Sequence, residues 1–153
     1  MNNASPVQGA EIFKEVIEEL EYKMQTHHIN LLEVHGNSSD ADLSNKATRT
    51  VIINPNFDTS FSLPFRLAHE MAHVIYGEKS KTYLFSPLSK KNEEIKANIF
   101  AIKMLCDLYF VDYGSNTQRW ENRFNFIELF GLRPLDHLVE QVLSEKYALE
   151  LMP

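Results

Sequence analysis

The sequence predicts an α+β fold, a mainly helical single domain with a small β-sheet packed beside its most apolar helix. Apolar residues recur at three- and four-residue intervals in several segments, which is typical of amphipathic helices. Two short segments with strand character lie together between the first helical segment and the most apolar one. No repeat, low-complexity tract or second domain boundary is evident, so we expect residues 1–153 to form one domain.

The N-terminal third is predicted to form one helix and two strands. The helix runs from Val7 to about Gln25, and its glutamates indicate a solvated face rather than a metal site. Strand character follows at Ile29 to Val34 and at Thr48 to Asn54; the second segment is β-branched and ends before Pro55. The segment between them, residues 35–47, is rich in turn residues. We therefore expect a small sheet beside the helix that follows.

The remaining chain is predicted to be helical. The most apolar helix is predicted to start at Ser62 and to stop at Gly77. The polar loop after it either forms one wall of a substrate groove or only connects this helix to the next. Further helices are expected from about Asn92 to Phe110, from Gln118 to Phe130, and from Leu135 or Asp136 to Tyr147. The segment from Gln118 to Phe130 carries five residues that we expect in the core: Trp120, Phe124, Ile127, Leu129 and Phe130.

Composition excludes several classes of function. The formal charge of −6 argues against direct binding along a nucleic-acid backbone, which requires a basic surface. No apolar run has the length of a membrane span, and the N-terminus has neither a basic start nor an apolar signal core, so we expect a cytoplasmic protein. The one cysteine, Cys106, cannot form an internal disulfide and is interpreted as a buried, inert thiol.

The most informative motif is H-E-x-x-H, formed by His69, Glu70 and His73. On a helix, residues four apart share a face, so both imidazoles can bind one zinc ion. Glu70 lies beside the metal, where it can take the proton of a zinc-activated water as that water attacks a carbonyl. Chance spacing is the alternative, but uncompensated ionisable groups in so apolar a helix would be costly. The motif predicts a metal-dependent amide hydrolase.

Glu94 is the predicted third protein ligand, since catalytic zinc sites of this type leave the fourth position to water. Asn98 lies one turn later and is expected to hold a zinc-bound histidine by its other nitrogen. The alternative is that Glu94 only caps the start of its helix together with Glu93.

Two stretches, FSLPFRLAHEMAH and EIKANIFAIKML, resemble the ImmA/IrrE family of bacterial and phage metallopeptidases. The resemblance covers roughly Thr48 to Leu105 and rests on two motifs that agree in order and spacing. It implies that His69, His73 and Glu94 bind Zn²⁺ and that Glu70 is the general base.

The same resemblance implies a minimal zincin core at about residues 48–111, followed by C-terminal helices at about 118–147. Such proteins are commonly encoded by mobile elements or prophages beside a helix-turn-helix repressor, which they inactivate by cleavage. This sequence departs from the pattern at Lys96, where many relatives carry a second acidic residue. It departs again at Cys106 and Asp107, which replace a Met-Pro pair at the end of the second helix.

The leading hypothesis is a zinc endopeptidase that cleaves a protein partner, a DNA-binding repressor. One alternative is a non-catalytic module that sequesters the repressor and keeps a structural zinc; another is an anti-repressor that has lost proteolysis. The motif does not supply a hydrogen-bond donor for the oxyanion that forms when water attacks the carbonyl. The chemically able candidates are Tyr76, Tyr83, Tyr109, Tyr113, His35 and His137.

Overall fold

The protein is described from a computed structural model, which covers residues 6–77 and 87–148. Within these ranges, helices dominate and three short strands form one sheet, so the predicted α+β class is confirmed. In chain order the elements are α1 (Pro6–Thr26), β1 (Asn30–Glu33), β2 (Leu43–Asn45), β3 (Thr50–Ile53), α2 (Leu63–Tyr76), α3 (Pro87–Tyr109), α4 (Asn116–Glu121), α5 (Arg123–Phe130), a 3₁₀ turn (Arg133–Leu135) and α6 (Asp136–Lys146). None of the described helices combines the length and the apolar composition needed to cross a bilayer.

The sheet has the strand order β1-β3-β2, with β1 parallel and β2 antiparallel to the central strand. Val51 and Ile53 of β3 are buried in the core, while the β-branched residue between them faces outward. The two predicted strands are therefore confirmed as β1 and β3. The segment predicted to be turn contains the strand β2, which the sequence pattern did not reveal. None of Leu43, Ser44 and Asn45 is β-branched or aromatic, and they form a strand by pairing with β3.

Helix α2 is the centre of the molecule and packs against α1, α3, β2 and β3. Its predicted ends are confirmed: the Ser62 hydroxyl accepts a hydrogen bond from the Phe65 amide at 3.3 Å, and Gly77 follows the last helical residue. Eight of its residues are buried, which explains why this helix is the most apolar segment of the chain. They are Pro64, Phe65, Leu67, Ala68, Glu70, Met71, Ala72 and Val74.

Helix α3 begins at Pro87, five residues before the predicted start at Asn92, and runs to Tyr109. Proline is favoured at the first helical position because its missing amide proton would have no partner there. The loop predicted to line a groove falls largely on residues 78–86, which lie outside the described residues. At its other end α3 continues past Cys106 without the proline expected from the family pattern.

The single helix predicted from Gln118 to Phe130 is wrong, because the chain forms two helices that meet at Asn122. The Asn122 side-chain amide donates to the Gln118 carbonyl at 2.7 Å, so it competes with the helical backbone for that acceptor. The break changes which side chains face inward: Phe124, expected in the core, is 57% exposed, and Phe126 is buried instead.

Gly131 fixes the C-terminal helices against the start of α2. Its φ of +68° lies in the left-handed region, which favours glycine, and a Cβ there would lie 2.0 Å from the Ser60 carbonyl oxygen. The neighbouring Phe130 carbonyl accepts from the Ser62 amide at 3.1 Å. The end of α5 is thereby joined to the residue that caps α2.

A buried ion pair connects α2 to the residue that precedes β2. The Arg66 guanidinium donates to both carboxylate oxygens of Asp42, at 2.7 and 2.8 Å, and to the Asn54 carbonyl at 2.8 Å. The side chains of Arg66 and Asp42 are only 12% and 5% exposed. Asp42 also accepts from the Asn54 amide at 2.9 Å. Since both charges are buried and hydrogen-bonded, removal of either would leave the other uncompensated.

The Asn54 side chain organises the loop that leads to β2. Its oxygen accepts from the Gly36 and Asn56 amides, at 2.9 and 3.0 Å, and its nitrogen donates to the carbonyls of Asn37 and Asp40, both at 2.8 Å. All the side-chain polar capacity of this buried residue is used. The turn-rich segment is therefore held in one conformation by a single amide.

Replacement of Asp42 by Asn should lower the free energy of unfolding by about 3–5 kcal/mol, because Arg66 would remain buried without its counter-ion. Urea unfolding at neutral pH measures the change. Glu128→Gln is the matched control: its partner Arg133 and Glu128 itself are 81% and 69% exposed, so the loss should be at most about 1 kcal/mol. Equal effects of the two substitutions would contradict a special role of the buried pair.

Cys106 should be inert in the folded protein, because it is fully buried and burial raises the pKa of its thiol to about 12. At pH 8 we expect a disulfide reagent to modify it at least about 1,000-fold more slowly in native protein than in guanidinium chloride. Absorbance of the released thiolate follows the reaction. Comparable rates in the two conditions would show that the thiol is accessible.

Candidate metal centre

The structure brings His69, His73 and Glu94 together at one point between α2 and α3. His69 Nε2 lies 3.0 Å from Glu94 Oε2, His73 Nε2 lies 2.9 Å from Glu94 Oε1, and the two Nε2 atoms are 3.2 Å apart. The two histidines reach the point because they are four residues apart on one helix. Glu94 reaches it because α3 packs along α2.

The position of Glu94 within α3 bears on its role. Since α3 begins at Pro87, Glu94 lies about two turns inside the helix, beyond the unpaired amides of the first turn. Capping of the helix start was the alternative explanation for this glutamate, and the observed helix boundary removes it. The carboxylate instead faces the two imidazoles of the neighbouring helix.

The three groups fit a tetrahedral metal ion. Two imidazole lone pairs and a carboxylate directed at one point repel one another unless protons or a cation lie between them. Zinc bonds to nitrogen and oxygen of about 2.0–2.2 Å at tetrahedral angles separate ligand atoms by about 3.3–3.6 Å. The observed separations of 2.9–3.2 Å are a few tenths of an ångström shorter, so small side-chain movements accommodate such an ion.

Exposure indicates an open coordination position. The side chains of His69 and His73 are only 15% and 17% exposed, whereas that of Glu94 is 48% exposed. Among the described residues the group consists of three side chains rather than four. Three protein ligands with a solvent-facing side are typical of catalytic rather than structural zinc sites.

Electrostatics at the centre favour positive charge. Hydrogen bonds from His69 and His73 hold the pKa of Glu94 far below its ordinary value. Burial acts to lower the pKa of His73, but the hydrogen bond and charge of Glu94, with the charges of Glu70 and Glu93, outweigh it and raise that pKa. The negative field that stabilises an imidazolium here would also stabilise a bound cation.

Glu70 lies beside the centre and is not one of the three converging groups. It is 8% exposed, and burial raises the pKa of its carboxyl group against the opposing effects of His69 and of a hydrogen bond with Ser44. Ser44 belongs to β2, so the strand that sequence reasoning missed contacts the predicted general base. A carboxyl group whose pKa is raised by burial is a stronger base than an exposed one, as the role of a general base requires.

The expected support of a histidine by Asn98 is not observed. The buried Nδ1 of His69 has no hydrogen-bond partner in the described part of the chain. Its Nε2 faces Glu94, so Nδ1 is the nitrogen that an outer partner would bind. The role of Asn98 stays a prediction.

A cleft of about 430 Å³ opens beside the centre. Its walls are β2 and α3, and its floor is α2. The lining residues are Asp42, Leu43, Ser44, Lys46, Glu70, His73, Gly77, Lys90, Glu93 and Glu94. Lys46, which follows β2, donates a hydrogen bond to the Gly77 carbonyl at the end of α2. The contributions of β2 and Lys46 were not predicted, because no local pattern marks residues 43–46 as neighbours of the motif.

The structure narrows the candidates for an oxyanion donor. The hydroxyls of Tyr109 and Tyr113 lie 3.4 Å apart, and Tyr109 follows Glu94 by about 22 Å along α3. His137 is 97% exposed on α6, and Tyr83 lies outside the described residues. Tyr76 lines a small pocket together with His73.

The comparison with known families agrees with this geometry. The profile of the Peptidase_M78 family, described as the IrrE N-terminal-like domain, matches residues 20–127, which include all three converging groups and Glu70. The chain belongs to this family. The resemblance to ImmA/IrrE proteins noted in the sequence is thereby confirmed. Neither the curated proteins nor the solved structures give a significant match to the chain.

Membership of Peptidase_M78 supports a metallopeptidase-type function acting on protein. The His69, His73 and Glu94 group is a candidate metal site within the matched region. The identity of the ion and the roles of the individual residues remain predictions.

Zinc binding should depend on Glu94 far more than on its neighbour Glu93. Glu94→Gln removes a carboxylate that faces both imidazoles, so the zinc affinity should fall by more than the 10- to 100-fold typical of lost outer partners. Glu93→Gln removes the same charge one residue earlier on the same helix and should retain about one zinc per chain. Competition titration with a chelating dye and elemental mass spectrometry measure affinity and stoichiometry. Equal loss in the two variants would indicate a general charge effect instead of ligation.

Proposed function

We propose that the protein is a zinc-dependent endopeptidase that cleaves a specific protein partner, a helix-turn-helix repressor of a prophage or mobile element. The observation that carries the proposal is the convergence of His69, His73 and Glu94 beside the buried carboxylate of Glu70. Membership of a peptidase family gives this arrangement its reaction class. The open side of the group favours catalysis over a closed structural site.

His69, His73 and Glu94 would hold the ion through two imidazole nitrogens and one carboxylate oxygen. A zinc ion bound there supplies a Lewis acid that polarises a carbonyl and lowers the pKa of water from 15.7 to about 7. Glu70 would take the proton of the attacking water on its carboxylate and deliver it to the leaving amine. Its hydrogen bond with Ser44 orients the carboxylate, and its burial suits transient protonation.

The cleft suits an extended polypeptide. β2 pairs with β3 alone among the described strands, so it is an edge strand, and it lines the cleft next to Glu70. Extended peptides commonly add to sheet edges through main-chain hydrogen bonds. A segment bound along β2 would pass over the metal centre, where its carbonyl can be attacked.

Charge supports a basic partner. The chain carries a formal net charge of −6, which disfavours contact with nucleic acid and favours a positively charged surface such as that of a DNA-binding protein. The resemblance to ImmA/IrrE proteins suggests that this partner is a repressor encoded nearby. The proposed site of action is the cytoplasm, where such a repressor is found.

Glu70→Gln should reduce cleavage by at least about 100-fold while zinc remains bound, because the amide cannot accept the proton of water. The substrate to test is a helix-turn-helix repressor from the source genome, chosen first from the genes that neighbour this one. Intact-mass spectrometry of the mixture counts the products. Glu121→Gln, an exposed change on α4, is the control and should cleave at the wild-type rate.

Retention of wild-type cleavage by Glu70→Gln would reject the mechanism. If neither protein cleaves the repressor, yet both relieve repression equally in a reporter strain, the partner is sequestered by contact. The non-catalytic alternative would then replace the endopeptidase.

A further inference from the structure

A small pocket of about 70 Å³ lies between α2 and α3, next to His73. It shares His73, Gly77 and Glu93 with the larger cleft, so the two spaces are neighbours on either side of these residues. Ala72 and Ala97 line it where the two helices approach, and both are almost completely buried. Small side chains at this crossing leave the space that larger ones would fill.

One wall of the pocket is aromatic. Tyr76 and Phe100 stack with ring centroids 4.1 Å apart and planes inclined by 18°. Tyr76 follows His69 by seven residues and His73 by three, so the three share one face of α2. Tyr76 is 49% exposed, which leaves much of this wall accessible beside the centre.

The size and charge of the pocket limit what it can hold. Its volume is about half that of a 150 Å³ apolar cavity that binds benzene. Glu93 and Lys96 carry opposite charges among the lining residues, so they give no clear preference for a charged side chain. An aliphatic side chain fits these limits better than an aromatic or ionised one.

We infer that this pocket selects an aliphatic side chain of the substrate residue next to the scissile bond, with Tyr76 and Phe100 as its specificity-determining wall. The inference rests on the proposed function, because only a substrate held at the metal centre would place a side chain here. Lys96, which departs from the family pattern, lines this pocket and is not one of the three converging groups.

The test uses N-acetylated hydroxamates of glycine, leucine and phenylalanine, whose hydroxamate group chelates zinc and whose side chain lies beside it. Calorimetric titration of the zinc-loaded protein should show leucine binding at least about tenfold more tightly than glycine, since filling an apolar pocket commonly gives that discrimination. Phenylalanine should bind more weakly than leucine because its ring exceeds the volume.

Three variants test whether the pocket wall causes the difference in affinity between the leucine and glycine compounds. Tyr76→Ala removes the wall and should reduce the leucine-to-glycine ratio to about threefold or less. The ratio is taken within each variant, so an effect on the metal centre that both compounds share cancels. Tyr76→Phe keeps the stacked ring and should retain the wild-type ratio. Tyr22→Ala is the matched control, since Tyr22 is 64% exposed on α1 and lies outside the pocket.

A wild-type ratio in Tyr76→Ala, or tighter binding of phenylalanine than of leucine, would overturn the inference and leave the proposed function standing. Failure of all three hydroxamates to bind the zinc-loaded wild type would overturn the proposed function and the inference together. The glycine compound separates these cases, because it reports on the metal centre without a side chain.

Discussion

The packing of α2 against α3 is the contact on which the candidate metal centre depends. Two imidazoles on one helix can meet a metal, but the third group comes from α3, which begins eleven positions after the last residue of α2. Ala72 and Ala97 lie where the two helices meet, and such small side chains let the helices approach closely. The same close approach leaves the pocket beside His73, so affinity for the ion and choice of substrate would share one interface.

A second constraint joins the sheet to the centre. The buried pair of Arg66 and Asp42 connects α2 to the residue before β2, and Asn54 fixes the loop behind it. Ser44 then contacts Glu70 from the strand so positioned. Buried ion pairs contribute little net stability compared with apolar packing, but they penalise alternative arrangements strongly. Here the pair holds a strand of low intrinsic propensity next to the predicted base.

The chain concentrates buried polar groups around the centre. The Asn54 side chain is completely hydrogen-bonded. Within residues 6–77 and 87–148, by contrast, a buried nitrogen of His69 has no hydrogen-bond partner, and burial disfavours the charge of the Glu70 carboxylate. Groups left in such environments destabilise a fold unless a ligand compensates them. A bound cation would offset part of this cost, which links the stability of the fold to occupation of the site.

The sequence by itself determined the α+β class, the ends of α2 and the motif that names the candidate residues, because each depends on local spacing, capping or periodicity. It did not determine β2, which forms by pairing with β3, or the start of α3, which lies at a proline. It also missed the break at Asn122 and the exposure of Phe124, because the side-chain amide of Asn122 competes with the helical backbone. Only the tertiary structure placed Glu94 against the two histidines and Ser44 against Glu70. These contacts join residues more than twenty positions apart, and no local preference encodes which elements pack together.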